Sequence, residues 1–201
     1  MRPYKEHVLK ACERLSSCPV AMIAPSHGPI LRKDPQSYIA WYEERASILS
    51  RVREKKVAIV YASAYGNTAA MAGKVAEGVR AGGLTPVLMN AVEVPMDKII
   101  DEFEVSAGFL IGTPTLNSNV PQPILQLIAN LVVLNVKGKP ASVFGSYGWS
   151  GEAIKTVQDI LTSMRLKITP EPIRVRMSPS DADLAACVEF GRKFAEVVSA
   201  A

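Results

Sequence analysis

Val57-Ala58-Ile59-Val60-Tyr61 runs through Ala62 into Ser63-Ala64-Tyr65-Gly66-Asn67-Thr68, and a periodic segment from Ala69 to Ala81 follows. The first run is apolar, rich in β-branched residues and preceded by Lys55-Lys56, the pattern of a strand buried on both faces of a parallel sheet. In the segment after the loop, Ala72, Val75, Ala76 and Val79 recur at helical spacing. Strand, small-residue loop and helix together aim backbone N–H groups and the positive end of a helix dipole at one point. An anionic group suits that point. The plainer alternative is an ordinary strand-to-helix turn with Asn67 or Thr68 as N-cap.

The loop's omissions narrow the anion. A triphosphate-binding loop carries Gly-Lys-Ser/Thr, whereas Gly66 is followed by Asn67-Thr68 and the next lysine is Lys74. A dinucleotide fingerprint needs three glycines at fixed spacing, and this loop has one. Hydroxyls and an amide from Ser63, Asn67 and Thr68, with backbone N–H groups, suit a terminal phosphate monoester such as that of flavin mononucleotide (FMN).

Working outward, the 201 residues allow one domain of ordinary size with an appendage. Hydrophobic residues make up 48% and charged residues 21%, a balance that buries a core and stays globular. No apolar run reaches the ~18–20 residues of a membrane span, and Met1-Arg2-Pro3 opens no signal peptide. Cys12, Cys18 and Cys187 fit neither a metal-ligand spacing nor Cys-x-x-Cys, so reduced thiols in the cytoplasm are expected. The net charge of +4 comes from the front of the chain: residues 1–56 hold 11 Lys and Arg against 6 Asp and Glu, and the remainder 12 against 13. Those charges are scattered over helical faces, which argues for a solvated surface and against a nucleic-acid stripe.

From Val57 onward strands and helices alternate. Strands are expected at Leu84–Met89, Ala107–Gly112, Pro140–Ser146 and Ile173–Met177, and helices at Pro95–Phe103, Pro121–Leu131, Gly151–Met164 and Asp181–Val198. Ser180 and Asp183 stand in capping-box positions for the last helix. Five strands alternating with helices predict an α/β fold with a doubly wound, five-stranded parallel sheet. The front quarter reads as helix, strand and helix: Pro3–Leu15, Val20–Ala24 and Pro35 to about Val52, with Arg51–Lys56 as a charged linker. About 50 residues cannot close a core of their own.

Ligands in doubly wound sheets sit at the carboxyl ends of the strands. After the third strand comes Thr113-Pro114-Thr115-Leu116-Asn117-Ser118-Asn119, and after the fourth Ser146-Tyr147-Gly148-Trp149-Ser150-Gly151. Both loops, like the first, are rich in hydroxyls, amides and glycine. An indole at Trp149 between glycines and serines suits a flat stacking partner. The alternative is that Trp149 only covers the sheet end while Leu116 and Tyr147 belong to the core.

These residues carry a family resemblance. Residues 57–201 resemble a short-chain flavodoxin-like domain, which implies strand order 2-1-3-4-5. Gly112–Pro123 (GTPTLNSNVPQP) and Phe144–Ala153 (FGSYGWSGEA) resemble the flavodoxin domain of flavodiiron proteins, also called A-type flavoproteins. Met1–Tyr4 (MRPY) and Met22–Pro35 (MIAPSHGPILRKDP) resemble the end of the metallo-β-lactamase-like domain that precedes it in that family. The resemblance implies residues 1–54 as the C-terminal remnant of that domain plus a linker, and 55–201 as an FMN-binding domain. It implies electron transfer through FMN to a non-haem di-iron centre that reduces oxygen or nitric oxide. Ser63, Ala64, Tyr65, Gly66, Asn67 and Thr68 fall at the FMN phosphate. Thr113, Pro114, Thr115, Leu116 and Asn117 fall on one side of the ring, and Ser146, Tyr147, Gly148, Trp149 and Gly151 on the other, with Trp149 stacking. His27 matches the last iron-ligating histidine of the preceding domain.

The family's His-x-Glu-x-Asp-His stretch and bridging carboxylate have no counterpart here, so the chain alone is not expected to reduce oxygen or nitric oxide. The chain is expected to be a fragment, a split-gene product or a remnant, and His27 is expected to bind metal only with ligands from another chain. Implied partners are a rubredoxin-like or NAD(P)H-linked donor, a separate lactamase-like di-iron subunit and a second copy of the chain. Two other readings stand beside this one: an NAD(P)H-dependent FMN or quinone reductase, and a flavin-free docking subunit.

Overall fold

The computed structural model describes residues 4–50, 54–132, 134, 136 and 138–201. The chain divides into two compact units, residues 1–52 and 53–201. In the larger unit β1 (Glu54–Tyr61) lies between β2 (Thr85–Asn90) and β3 (Ser106–Gly112), and β4 (Pro140–Tyr147) follows β3. All these pairings are parallel, and the order is 2-1-3-4-5. Helices α3 (Asn67–Ala81), α4 (Met96–Val105), α5 (Gln122–Leu131), α6 (Glu152–Ser163) and α7 (Asp181–Ser199) cover both faces.

The alternation of side chains along β1 sorts the core into two layers. Val57 and Ile59 pack with Met71, Val75 and Val79 of α3 and Phe190 and Phe194 of α7. Ala58 and Val60 pack on the other face with Phe103 of α4, Ile124 and Leu127 of α5 and Val157 of α6. On the first face α3 and α7 approach backbone to backbone. A Cβ on Gly78 would lie 1.9 Å from Val188 O, and one on Gly191 would lie 2.1 Å from Val75 O. Ser180 and Asp183 form the expected reciprocal capping box at the start of α7.

The fifth position of the sheet differs from the sequence reading. It is filled by two short strands, β5 (Lys167–Ile168) beside Pro140 and Ala141, and β6 (Ile173–Arg176) beside Phe144–Tyr147. Between them lie Thr169-Pro170-Glu171-Pro172, whose prolines have no N–H to give to the ladder. Ser142 bridges the gap by donating from Oγ to Pro170 O at 2.6 Å. The carboxyl end of the sheet is thus bordered by a strand that is free of its own lower half.

The smaller unit contains α1 (Lys5–Ser16) and α2 (Pro35–Ser50). The strand expected at Val20–Ala24 is only one antiparallel bridge, Ile23 to Leu31, because Pro25 and Pro29 interrupt the chain around it. Cys12 is buried and Leu15 exposed, so the apolar face of α1 is narrower than its spacing suggests. Pro3, the expected first residue of α1, and residues 51–53 of the expected linker lie outside the described residues. No helix among the described residues is long and apolar enough to cross a membrane.

Candidate functional site

A cleft of about 460 Å³ opens at the carboxyl ends of β1, β3 and β4, within the usual range for small-molecule sites. The chain reaches it at residues 63–68, 113–119 and 146–151. The first of these loops ends at Gly66, the N-cap of α3, with φ of +84°. That left-handed conformation suits glycine, and a Cβ there would meet nothing within 4 Å, so the turn selects glycine by backbone conformation alone. Ser63 Oγ accepts from Ala69 N–H at 3.3 Å. The N–H groups of Gly66, Asn67 and Thr68 have no acceptor among the described residues and lie at the positive end of the α3 dipole.

The second loop folds as a tight hairpin. Leu116 and Asn119 exchange backbone hydrogen bonds of 3.1 and 2.9 Å around Asn117 and Ser118, whose φ values are +48° and +57°. Two consecutive positive φ values are the signature of a type I′ turn, where asparagine is favoured. The loop is tied to the third one at two points: Thr115 N–H donates to Ser146 O at 3.0 Å, and Thr115 Oγ1 accepts from Ala153 N–H at 3.3 Å. Loops one and three are joined by the hydroxyls of Thr68 and Ser146, 3.0 Å apart and buried.

Of the residues singled out in the sequence, Tyr65, Asn67, Pro114, Thr115, Leu116, Asn117, Ser146, Tyr147, Gly148 and Trp149 line the cleft. Ser63, Ala64, Gly66, Thr68, Thr113 and Gly151 do not. Thr68 is 1% exposed and its hydroxyl is engaged by Ser146; Thr113 Oγ1 is engaged by Pro114 O at 3.0 Å. Trp149 and Tyr65 are 90% and 87% exposed, large apolar surfaces presented at the cleft. His27 lies in the other unit, exposed beside an apolar cavity of about 400 Å³ lined also by Cys12 and Tyr38.

Sequence reasoning missed Ser118, Ser150 and Met177, which also line the cleft, and the two arginines of β6. The serines stand inside loops already singled out. Met177 was signalled by its place at the carboxyl end of the fifth strand. Arg174 packs over the Tyr147 ring at 5.4 Å and donates to Ser150 O at 3.3 Å; Arg176 donates from Nε to Gly148 O at 3.3 Å. The carboxyl of Glu152 is held below its ordinary range by a hydrogen bond from Ser150, its own backbone N–H and the charge of Arg174. Every cleft-lining side chain is uncharged.

Residues 59–191 match the flavodoxin family. The chain belongs to that family. It is an FMN-binding domain of the flavodoxin kind, with the parallel order 2-1-3-4-5. A flavodoxin from the domain Archaea is 30% identical, covers 72% of this chain with 99% of its own, and superposes with a TM-score of 0.67. The similarity also runs beyond the flavodoxin domain. The type A flavoprotein of Rhodobacter capsulatus is 36% identical over 203 residues, 98% of this chain and 46% of that protein. The rubredoxin oxygen:oxidoreductase of Desulfovibrio gigas is 30% identical, with a TM-score of 0.79 over 99% of this chain and 50% of that one. The chain spans about a third to a half of the length of the curated relatives it matches.

The donor set of the cleft fits FMN. Free N–H groups at a helix N-terminus suit a phosphate, the exposed rings of Trp149 and Tyr65 suit a flat heterocycle, and the neutral lining spares that heterocycle a buried charge.

Proposed function

We propose that this chain is an electron carrier whose FMN sits in the cleft and passes electrons to a di-iron centre contributed from outside residues 1–201. The observation that carries this reading is the pairing of an uncharged, aromatic-flanked cleft with the unpartnered amides of Gly66, Asn67 and Thr68. In this reading those amides and the Ser63 region hold the phosphate, Thr115–Asn117 line one side of the ring, and Tyr147–Trp149 line the other. Thr68, Thr113 and Gly151 act from behind by fixing the loops. FMN supplies one- and two-electron chemistry when bound, and the chain binds it, orients it and excludes water from its face.

Residues 1–54 are proposed as the tail of a lactamase-like domain, supported by the full-chain similarity to the Rhodobacter and Desulfovibrio proteins. The chain has two histidines, His7 and His27, too few for a di-iron ligand set. His27 is proposed as a ligand only when other chains or segments complete the set. A rubredoxin-like or NAD(P)H-linked donor, a homo-oligomeric assembly and a cytoplasmic location complete the proposal. Reduction of oxygen or nitric oxide is assigned to the completed assembly.

The test is an absorbance spectrum of the purified chain before and after FMN addition, with a metal assay on the same sample. Flavin bands released on denaturation, with iron far below one per chain, are expected. A chain that purifies colourless and ignores added FMN overturns the reading in favour of a docking subunit. Direct bleaching of the bound flavin by NADH, without another protein, overturns it in favour of a reductase.

A further inference from the structure

β6 is a four-residue edge strand with an unusual composition for the border of an uncharged cleft: Ile173, Arg174, Val175, Arg176. Side chains two apart on a strand share a face, so the arginines stand together while Val175 is buried in the core. Register places Arg174 opposite Gly145 and Arg176 opposite Tyr147, and each guanidinium reaches a carbonyl of the third loop. Arg176 Nε donates to Gly148 O and Arg174 Nη2 to Ser150 O, both at 3.3 Å. These are the carbonyls immediately before and after Trp149. Met177 N–H adds a 2.8 Å bond to Tyr147 O, and Arg174 also packs over the Tyr147 ring. An indole that is 90% exposed is not held by packing, so the backbone on either side sets where its side chain starts.

We infer that Arg174 and Arg176 are positioning residues that fix the direction of Trp149 and bring two positive charges to the back of the loop facing the flavin ring. The inference rests on the flavin reading above and deepens it. Electron uptake adds negative charge at the ring, and nearby guanidinium groups favour the reduced side of that equilibrium. The carboxylate of Glu152, at the start of α6, feels the charge of Arg174 and offsets part of it.

Arg174→Gln, Arg176→Gln and the corresponding lysine variants test this in a Trp41→Phe background, where Trp149 is the sole indole. Three readouts are needed: indole anisotropy in the FMN-free protein, FMN dissociation constant, and midpoint potential at low and high salt, with a melting curve as the folding control. Each glutamine is expected to lower indole anisotropy and to weaken FMN binding about 3- to 10-fold, consistent with modest, partly exposed charged hydrogen bonds. It is also expected to move the potential to more negative values, by more at low salt than at high salt. Lysine keeps the charge and lacks the fork, so it restores the potential and leaves much of the affinity loss. Unchanged anisotropy, affinity and potential in a folded double-glutamine variant overturn the inference. If the glutamine variants fail to fold, potentials that differ between the lysine variants and the parent overturn it. A parent chain that binds no FMN overturns the flavin reading with it, whereas normal FMN binding in the parent with unaltered glutamine variants overturns the inference alone.

Discussion

At the scale of single residues, the cleft depends on a buried contact between two of its loops. The Thr68 and Ser146 hydroxyls meet across 3.0 Å, both buried, and come from loops 78 positions apart. Removing one leaves the other buried without a partner, which costs about 1–3 kcal/mol. Thr68→Val and Ser146→Ala are therefore each expected to lower the melting temperature by several degrees, and the double variant by less than their sum. Thermal melts of the three variants give this coupling directly. Lys139 is a similar case: its buried ammonium donates to the carbonyls of Phe103, Glu104 and Ser106 at 2.8–2.9 Å, clasping the turn from α4 to β3. Lys139→Met is expected to cost about 2–4 kcal/mol in chemical denaturation, because a set of charge-assisted bonds is lost together. The sequence announced the hydroxyl-rich loops, yet a propensity argument could not say that Thr68 faces inward while Tyr65, three residues earlier, faces solvent. That distinction depends on how β1 and β4 align, which no local pattern encodes.

At the scale of elements, the crossing of α3 and α7 leaves no room for a methyl group. Gly191→Ala would place a carbon 2.1 Å from the Val75 carbonyl, and the two helices would have to separate. A loss of about 1–3 kcal/mol, measured by denaturant titration, is expected from such overpacking. The same helix carries the chain's clearest pH signature. Burial, and to a lesser degree Asp183, push the Cys187 thiol from its ordinary 9.0 up to about 11. The folded state holds this proton more tightly than the unfolded state, so the contribution is complete below pH 9 and is lost as pH rises towards 11. Denaturation midpoints are expected to fall across that window, and less so in Cys187→Ala. At the acid end the sign reverses: Asp183 is held below its ordinary value by Ser180, so the α7 cap is expected to weaken as pH drops through 3.8 and below. Elements with strong periodicity, β1, α3 and α7, were legible from the sequence to within a few residues. The strand expected at Ile173–Met177 is β6, one residue shorter; the extra piece Lys167–Ile168 was not legible, since two residues are too short to show a period and Pro170 and Pro172 conceal that two pieces share one sheet position.

At the scale of the molecule, the two units have very different interiors. Residues 53–201 hold two core layers around a parallel sheet, whereas among residues 4–47 the buried apolar side chains are Cys12, Pro35, Ile39 and Ala46. Thiol chemistry reports on both units at once: Cys18 is exposed, whereas Cys12 and Cys187 are buried with raised thiol pKa values. One fast-reacting thiol is expected with a disulfide reagent at pH 8, and three after denaturation. The family and the sheet order were readable from three loops; the arginines behind the third loop were not, because only strand register brings them there. The break in the fifth strand carries one last consequence. β6 hangs on β4 by four residues, without continuous support from β5, at the outer edge of the sheet. In deuterated solvent its amides should therefore exchange orders of magnitude sooner than those of β1 and β3, so that the border nearest Trp149 is labelled while the interior of the sheet is still protonated.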